Sequence, residues 1–145
     1  MSALVYLGLG TNLGNREENV RRAVQLLGER VGQVGRLSSL YVTEPWGFRS
    51  DNLFVNAAVS VRTALSPRQL LEATQRIERD MGRTEKSAGG DYRDRVIDID
   101  ILLYGSLRVS EPGLVIPHPL MYERDFVTKP LNEILGGLPP AALTD

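Results

Sequence analysis

The sequence contains no cysteine, which excludes disulfide bonds and cysteine-ligated metal sites. It has one histidine, and no apolar run approaches the ~20 residues that a membrane-spanning helix needs. The formal net charge of −1 gives no indication of a general nucleic-acid-binding surface. The opening residues, MSALVYLGLG, lack the basic segment and cleavage site of a signal peptide, so we expect a cytoplasmic protein.

Lysine is also scarce, with two residues against 15 arginines. A guanidinium group can hold two phosphate oxygens at once, so clustered arginines suit a polyphosphate ligand. A genome that favours arginine codons would produce the same bias. The positions of the arginines are therefore more informative than their number.

The rest of the composition is typical of a folded chain. Of 145 residues, 42% are hydrophobic, and we expect one domain over residues 1–145. Hydrophobic periodicity predicts strands at 3–10, 35–45, 53–63 and 95–104, and helices at 15–30 and 66–82 with Asn15 and Ser66 as N-caps. This order indicates an α+β, ferredoxin-like fold (βαββαβ), an antiparallel sheet with helices on one face. Gly105-Ser106 would turn the chain into an added edge hairpin at 107–110, and a short helix is expected after Pro130.

Two aspartates interrupt the last of these strands, in the segment RVIDIDILLYG at residues 95–105. Strand side chains alternate, so Asp98 and Asp100 share one face, ~6–7 Å apart, while the neighbouring isoleucines face the core. Neighbouring carboxylates repel each other unless something neutralises them. Mg²⁺ is commonly held by one or two carboxylates plus substrate phosphates, and two such ions ~3.5–4 Å apart can clamp a transferring phosphoryl group.

A solvated polar face of an ordinary strand is the alternative interpretation of this pair. Basic residues around the strand favour the phosphate hypothesis, because positive charge neutralises a polyphosphate. They are Arg83, Lys86, Arg93, Arg95 and Arg124.

Three further features bear on binding. Gly8, Gly10 and Gly14 in GLGTNLG are spaced one residue too widely for a dinucleotide-binding fingerprint, and we interpret them as glycines of a turn. His118 is either a packed loop residue or a donor to a phosphate oxygen. Phe54 with Asn56, which we assign to the open side of the sheet, would stack on and hydrogen-bond a flat heterocycle, or would simply be satisfied edge residues.

Six segments between about residue 5 and residue 135 form a collinear set of motifs. They are YLGLGTNLGN, SSLYVTEPWG, LFVNAAV, TQRIERDMGR, RDRVIDIDILLYG and IPHPLMYERDFVTKPLNEI. Together they resemble the motifs of the 6-hydroxymethyl-7,8-dihydropterin pyrophosphokinase family of folate biosynthesis. The resemblance implies a ferredoxin-like fold. It also implies a transferase that moves the β,γ-diphosphate of ATP to the 6-hydroxymethyl group of a dihydropterin and releases AMP.

The resemblance also implies the roles of individual residues. Asp98 and Asp100 correspond to ligands of two Mg²⁺ ions, and Arg83 and Arg95 to catalytic arginines that contact the polyphosphate. The ATP-binding positions are Gln75, Lys86, Arg93, Arg95, Ile101, His118 and Arg124. The pterin-binding positions are Thr43, Glu44, Trp46, Phe54, Asn56, Tyr92, Asp98 and Phe126. Tyr92 stands where some members of the family carry a tryptophan.

Two other functions remain open at this point. One is a different two-metal phosphotransferase on a ferredoxin-like fold, and the other is a ferredoxin-like module that binds without catalysis, for instance to RNA. An RNA-binding sheet typically presents stacked aromatics on a basic surface, whereas this sequence places carboxylates on a strand. We therefore expect ATP and 6-hydroxymethyl-7,8-dihydropterin as the partners of a monomer that binds neither nucleic acid nor membrane.

Overall fold

The computed structural model describes residues 2–43, 53–82, 96–119 and 125–135. Its elements are β1 (Ala3–Thr11), α1 (Arg16–Arg30), β2 (Gly32–Leu37), β3 (Tyr41–Thr43), β4 (Phe54–Thr63), α2 (Pro67–Asp80), β5 (Asp98–Tyr104), β6 (Val109–Glu111), β7 (Leu114–Ile116) and α3 (Asp125–Leu135). The predicted α+β class is confirmed. Among the described helices, none combines the length and hydrophobicity needed to cross a membrane.

The main sheet has five strands, and all of its described pairings are antiparallel. The strand order is β2–β4–β1–β5, with β3 also paired to β4. The single strand predicted at 35–45 is therefore two strands in the structure. At the break, Ser38 continues the hydrogen bonding to β4. Its N–H donates to Ala58 O and its Oγ accepts from Ala58 N–H, each at 2.9 Å.

Helices α1 and α2 pack on one face of this sheet, as the sequence predicts. The alternating residues Val55, Ala57, Val59 and Val61 of β4 face them and belong to the larger hydrophobic cluster. Both helices begin at the predicted caps. The Asn15 side chain accepts from Glu18 N–H, and Ser66 forms a complete capping box with Gln69.

Helix α3 packs on the opposite face, so the expectation that helices lie on one face of the sheet is wrong for α3. Its buried residues Val127, Leu131 and Ile134 form a second cluster with Ala58, Leu102 and Leu103 of the sheet. The consecutive Leu102 and Leu103 both join this cluster because the β1–β5 register shifts between Tyr6 and Leu7. The helix also begins earlier than predicted, at Asp125, and contains Pro130.

The predicted hairpin exists with a different partner. Gly105, at φ 53°, does turn the chain, and Leu107 N–H donates to Tyr104 O at 2.9 Å. The segment after the turn contributes β6, which pairs with β7 in a separate two-stranded sheet rather than with β5. The pairing expected for 107–110 is therefore wrong, because the chain reverses again at Pro112-Gly113, where Gly113 has φ 76°.

Two glycines near the α1–β2 junction allow a matched test of this packing. A Cβ at Gly28, inside α1, would lie 3.7 Å from Val34 Cγ2, an ordinary contact, whereas a Cβ at Gly32 would lie 2.0 Å from Arg62 O. We expect Gly28→Ala to raise the free energy of unfolding by about 0.5–1 kcal/mol, since alanine loses less backbone entropy in a helix. Gly32→Ala should lower it by ~1–3 kcal/mol, because the β2–β4 backbones must move apart. Urea denaturation of both variants measures the free energy of unfolding. Changes of the same sign in the two variants would contradict the close β2–β4 backbone contact at Gly32.

Candidate functional site

The two aspartates of β5 project from the face opposite the α1/α2 core. Ile99 and Ile101, which alternate with them, are buried in that core, whereas Asp98 and Asp100 are half-buried. The alternation predicted from the sequence is confirmed. The carboxylates therefore lie on the face that α3 covers in part.

Glycines of β1 lie directly opposite both aspartates. Gly10 pairs with Asp98 on one side and Asn56 on the other, and Gly8 pairs with Asp100 and Ala58 in the same way. With strands ~4.8 Å apart, the Asn56 and Asp98 backbones are separated by roughly 10 Å, and Gly10 between them has no side chain of its own. We call these two rows, Asn56–Gly10–Asp98 and Ala58–Gly8–Asp100, the glycine floor.

The glycine floor corrects one sequence interpretation. Gly14, at φ 69°, lies in the turn after β1 as expected, but Gly8 and Gly10 are strand residues. A Cβ at Gly10 would lie 3.3 Å from Asn56 Oδ1, and one at Gly8 would lie 3.4 Å from Leu102 Cδ1. Both glycines keep the surface low beside the aspartates, a function that the motif spacing did not reveal.

Residues predicted to bind the pterin gather at one end of the glycine floor. Phe54 pairs with Thr43 across β3–β4, and Asn56 pairs with Tyr41 and Gly10. Asn56 is only 5% exposed and Phe54 is half-buried, so this part of the face is less open than we expected. The structure thus places Phe54 and Asn56 on β4, the strand next to Gly10, which in turn lies opposite Asp98.

The described residues predicted to bind ATP flank β5. Gln75 lies on α2 one turn before Glu78, which contacts β5, and His118 N–H donates to Leu102 O at 3.1 Å. The Ile101 side chain is 5% exposed and faces the α1/α2 core, so a contact between Ile101 and a ligand on the aspartate face would use its backbone. Phe126, which was predicted to bind the pterin, lies at the start of α3 and is half-buried against the second cluster.

Several predicted site residues lie outside the described part of the chain. They are Glu44, Trp46, Arg83, Lys86, Tyr92, Arg93, Arg95 and Arg124, and for Thr43 only the backbone is described. Their assigned roles stay predictions.

The aspartate pair fits a divalent cation that shares its ligands with a substrate. Carboxylate oxygens two residues apart on one strand face suit Mg²⁺, which commonly takes its remaining ligands from substrate phosphates and water. Within the described residues, no group of three or more histidine, aspartate or glutamate side chains comes together.

A third carboxylate, which the sequence analysis did not identify, reaches β5 from α2, the helix on the face opposite the aspartates. Glu78 of α2 is 7% exposed, and its Oε2 accepts a hydrogen bond from Ile99 N–H at 2.7 Å. In the sequence, Glu78 follows Ile77 of the apolar stripe and has no local signal of burial, because its burial results from the packing of α2 against β5.

A carboxylate of α3 anchors the strand that leads to Thr43. Glu133 accepts from Ser39 N–H at 2.8 Å and from the Tyr41 hydroxyl at 2.6 Å. These hydrogen bonds, that of Tyr41 first, hold the pKa of Glu133 below its usual value, and the same bond raises the pKa of Tyr41. Helix α3 therefore fixes β3 as well as covering the sheet.

Comparison with known proteins identifies the family. The sequence profile of the 7,8-dihydro-6-hydroxymethylpterin-pyrophosphokinase (HPPK) family matches residues 6–136. The chain belongs to the HPPK family. The resemblance found in the sequence is thereby confirmed.

Named HPPK-family relatives share much of the sequence. A Porphyromonas gingivalis 2-amino-4-hydroxy-6-hydroxymethyldihydropteridine pyrophosphokinase is 50% identical over 98% of this chain and 97% of that protein. The Bacillus subtilis protein of the same name is 43% identical over 92% of this chain and 79% of its own length. A mitochondrial folate synthesis bifunctional protein of Arabidopsis thaliana is 44% identical over 91% of this chain but 23% of its own length.

Solved structures support the fold. A Plasmodium falciparum HPPK-DHPS chain, crystallised with SDX-DHP, superposes with a TM-score of 0.74 at 16% identity. The match covers 92% of this chain and 41% of that one, so the chain spans less than half of the longer Plasmodium protein. At this identity the likeness concerns the fold.

The Glu133 anchor predicts a pH dependence of stability in this HPPK-family chain. A carboxyl whose pKa is lowered by folding stabilises the protein above its unfolded pKa, and the contribution disappears as the pH falls through the folded value. We therefore expect Tyr41→Phe to destabilise the protein at pH 6–7 and to lose that effect progressively below pH ~4.5, the ordinary pKa of glutamate. NMR titration of the Glu133 carboxyl should show its pKa rising in the variant.

Tyr104→Phe provides the matched control for this measurement. The Tyr104 hydroxyl donates to Leu65 O, a backbone carbonyl that does not titrate. Its loss should cost the same free energy of unfolding from pH 3 to pH 7. If the difference between wild type and Tyr41→Phe were equally flat, the anchor would not be the charge-assisted bond described.

Proposed function

We propose that this chain transfers a diphosphate group from ATP to the 6-hydroxymethyl group of 6-hydroxymethyl-7,8-dihydropterin, releasing AMP, in folate biosynthesis. Membership of the HPPK family supports it, as does 50% identity to a named pyrophosphokinase over nearly the whole length of both proteins. The structural observation that carries it is the glycine floor, which puts the Asp98–Asp100 pair beside Asn56 and Phe54 on one sheet face.

The pterin is proposed to bind at the Asn56 end of the glycine floor. A pterin is a flat heterocycle with donors and acceptors on its edge, and an asparagine amide supplies both kinds of group. Phe54 adjoins Asn56 and offers a ring face or edge. The remaining proposed contacts are Thr43, Glu44, Trp46, Tyr92, Asp98 and Phe126, of which Asp98 stands two strands from Asn56, across Gly10.

The cofactor is proposed to be two Mg²⁺ ions held by Asp98 and Asp100. When bound, Mg²⁺ neutralises phosphate charge and lowers the pKa of a coordinated hydroxyl. The contribution of the chain is positioning, because β5 fixes the two residues ~6–7 Å apart on one face, opposite Gly10 and Gly8 of β1. Glycine at these two positions would let a phosphate tail approach the backbone of β1 beside the carboxylates.

The triphosphate is proposed to run along β5 between the aspartates and the arginines of the neighbouring segments. Gln75 and the His118 segment flank this strand, which supports a nucleotide placed at its open edge. Arg83 and Arg95 would neutralise charge that develops during transfer, and an arginine fork does so with directed hydrogen bonds. The other proposed ATP contacts are Lys86, Arg93, Ile101 and Arg124.

Three further expectations, on fold classification, cellular location and oligomeric state, are carried forward as proposals. The strand order β2–β4–β1–β5, with α1 and α2 on one face, supports a ferredoxin-like classification. A cytoplasmic location and a monomeric state are proposed from the sequence. The catalytic proposal does not depend on any of the three.

Phosphorus NMR of the reaction tests the function directly. With ATP, Mg²⁺ and the hydroxymethyl pterin, we expect AMP and a pterin diphosphate, whereas ADP would indicate an ordinary kinase and overturn the proposal. Asp98→Asn should lower kcat by on the order of 10²–10³ or more, because it removes a charge at the reacting phosphates. Glu111→Gln, which makes the same carboxylate-to-amide change at an exposed residue of β6 with no proposed role in the site, should retain wild-type kcat.

A further inference from the structure

The Glu78 carboxylate meets β5 between the two aspartates. Its Oε2 accepts from the N–H of Ile99, the residue flanked by Asp98 and Asp100. In an antiparallel strand, alternate N–H groups point away from the neighbouring strand, and Ile99 N–H points away from β1 to α2. Helix α2 thus supports the side of β5 that no described strand occupies.

This support lies at the end of the strand ladder. Asp98 pairs with Gly10 in the last described β1–β5 pair, and β5 begins at Asp98. Strand ends open more readily than strand centres, because a terminal residue has fewer neighbours to hold it. A hydrogen bond from the adjacent Ile99 peptide to the buried Glu78 side chain of α2 therefore restrains Asp98 where the sheet restrains it least.

A carboxylate is a costly choice for this position if packing alone matters. Glu78 is 7% exposed and follows Ile77, which is fully buried in the α1/α2 core. Burying an ionised group carries a desolvation penalty that an apolar residue avoids. In return, the Glu78 oxygen satisfies the buried Ile99 N–H, a donor that an apolar residue at this position would leave without this acceptor.

We propose that Glu78 is a positioning residue, whose carboxylate holds the Ile99 peptide and thereby sets the separation and direction of Asp98 and Asp100. The inference rests on the proposed function, since that function assigns these aspartates to the divalent cations. Glu78 acts through the backbone of β5 from the opposite face of the sheet. Its part in the site is to keep the two carboxylates aligned before any ion or nucleotide arrives.

Amide hydrogen exchange of the ligand-free protein gives the first readout. In Glu78→Leu, Ile99 N–H loses its acceptor, and its exchange should accelerate at least about tenfold relative to the amides of β4, a factor that corresponds to ~1.4 kcal/mol. Glu78→Gln keeps an acceptor oxygen and should stay within about threefold of wild type. Ile99 exchange that is unchanged in Glu78→Leu would overturn the proposed contact.

Mg²⁺-dependent binding of a non-hydrolysable ATP analogue, measured by calorimetry, gives the second readout. Glu78→Leu should raise the Mg²⁺ concentration for half-maximal binding by about 10–100-fold, the usual effect of losing a partner that orients a metal ligand. Glu78→Gln should restore most of the loss. Ile77→Val, the adjacent buried residue, controls for general loosening of α2 and should leave the Mg²⁺ dependence unchanged.

The outcomes separate this inference from the function on which it rests. If wild type requires Mg²⁺ for binding and Glu78→Leu shows the same requirement, positioning by Glu78 is wrong while the proposed function stands. If Glu78→Gln is as impaired as Glu78→Leu in both readouts, the role belongs to the charge and the proposal is likewise overturned. If wild type binds the analogue without Mg²⁺, and forms no AMP from ATP and the hydroxymethyl pterin, the proposed function itself fails.

Discussion

Strand β1 pairs with β5 in a register that sets Gly10 opposite Asp98 and Gly8 opposite Asp100. Side chains at either glycine would project beside the carboxylates, on the same face of the sheet. The pairing therefore determines both what the aspartates can reach and how closely a ligand can approach the backbone. A slip of one residue would turn the aspartates into the α1/α2 core, where unpaired carboxylates are strongly unfavourable.

The two faces of the sheet have different tasks. One face is covered by α1 and α2 and contains the larger hydrophobic cluster, which locks the register of β1, β4 and β5. The other face is shared between α3 and the glycine floor. Contacts with α3 hold the sheet near Leu102 and, through Glu133, hold β3 near Tyr41. On this second face, the packing against α3 therefore lies next to the proposed binding surface.

Features that depend on local periodicity were predictable from the sequence. The direction of Asp98 and Asp100 follows from the two-residue repeat of a strand, and the starts of α1 and α2 follow from Asn15 and Ser66. The family resemblance added the chemistry, because its motifs extend over most of the chain. The direction of the aspartates and the starts of the two helices agree with the structure.

Features that depend on which strands become neighbours were not predictable in this way. The strand predicted at 3–10 contains Gly8 and Gly10, but nothing local shows why glycine is needed there, since its value comes from the aspartates across the ladder. Glu78 looks like an ordinary polar residue of an amphipathic helix until α2 is placed against β5. The location of α3 likewise depends on an apolar patch assembled from β1, β4 and β5.

The most direct test is a crystal structure of the protein with Mg²⁺, a non-hydrolysable ATP analogue and the pterin. The account predicts two ions in contact with the Asp98 and Asp100 carboxylates above the glycine floor, with the pterin beside Asn56. Ions bound elsewhere, with both carboxylates directed into bulk solvent, would contradict it.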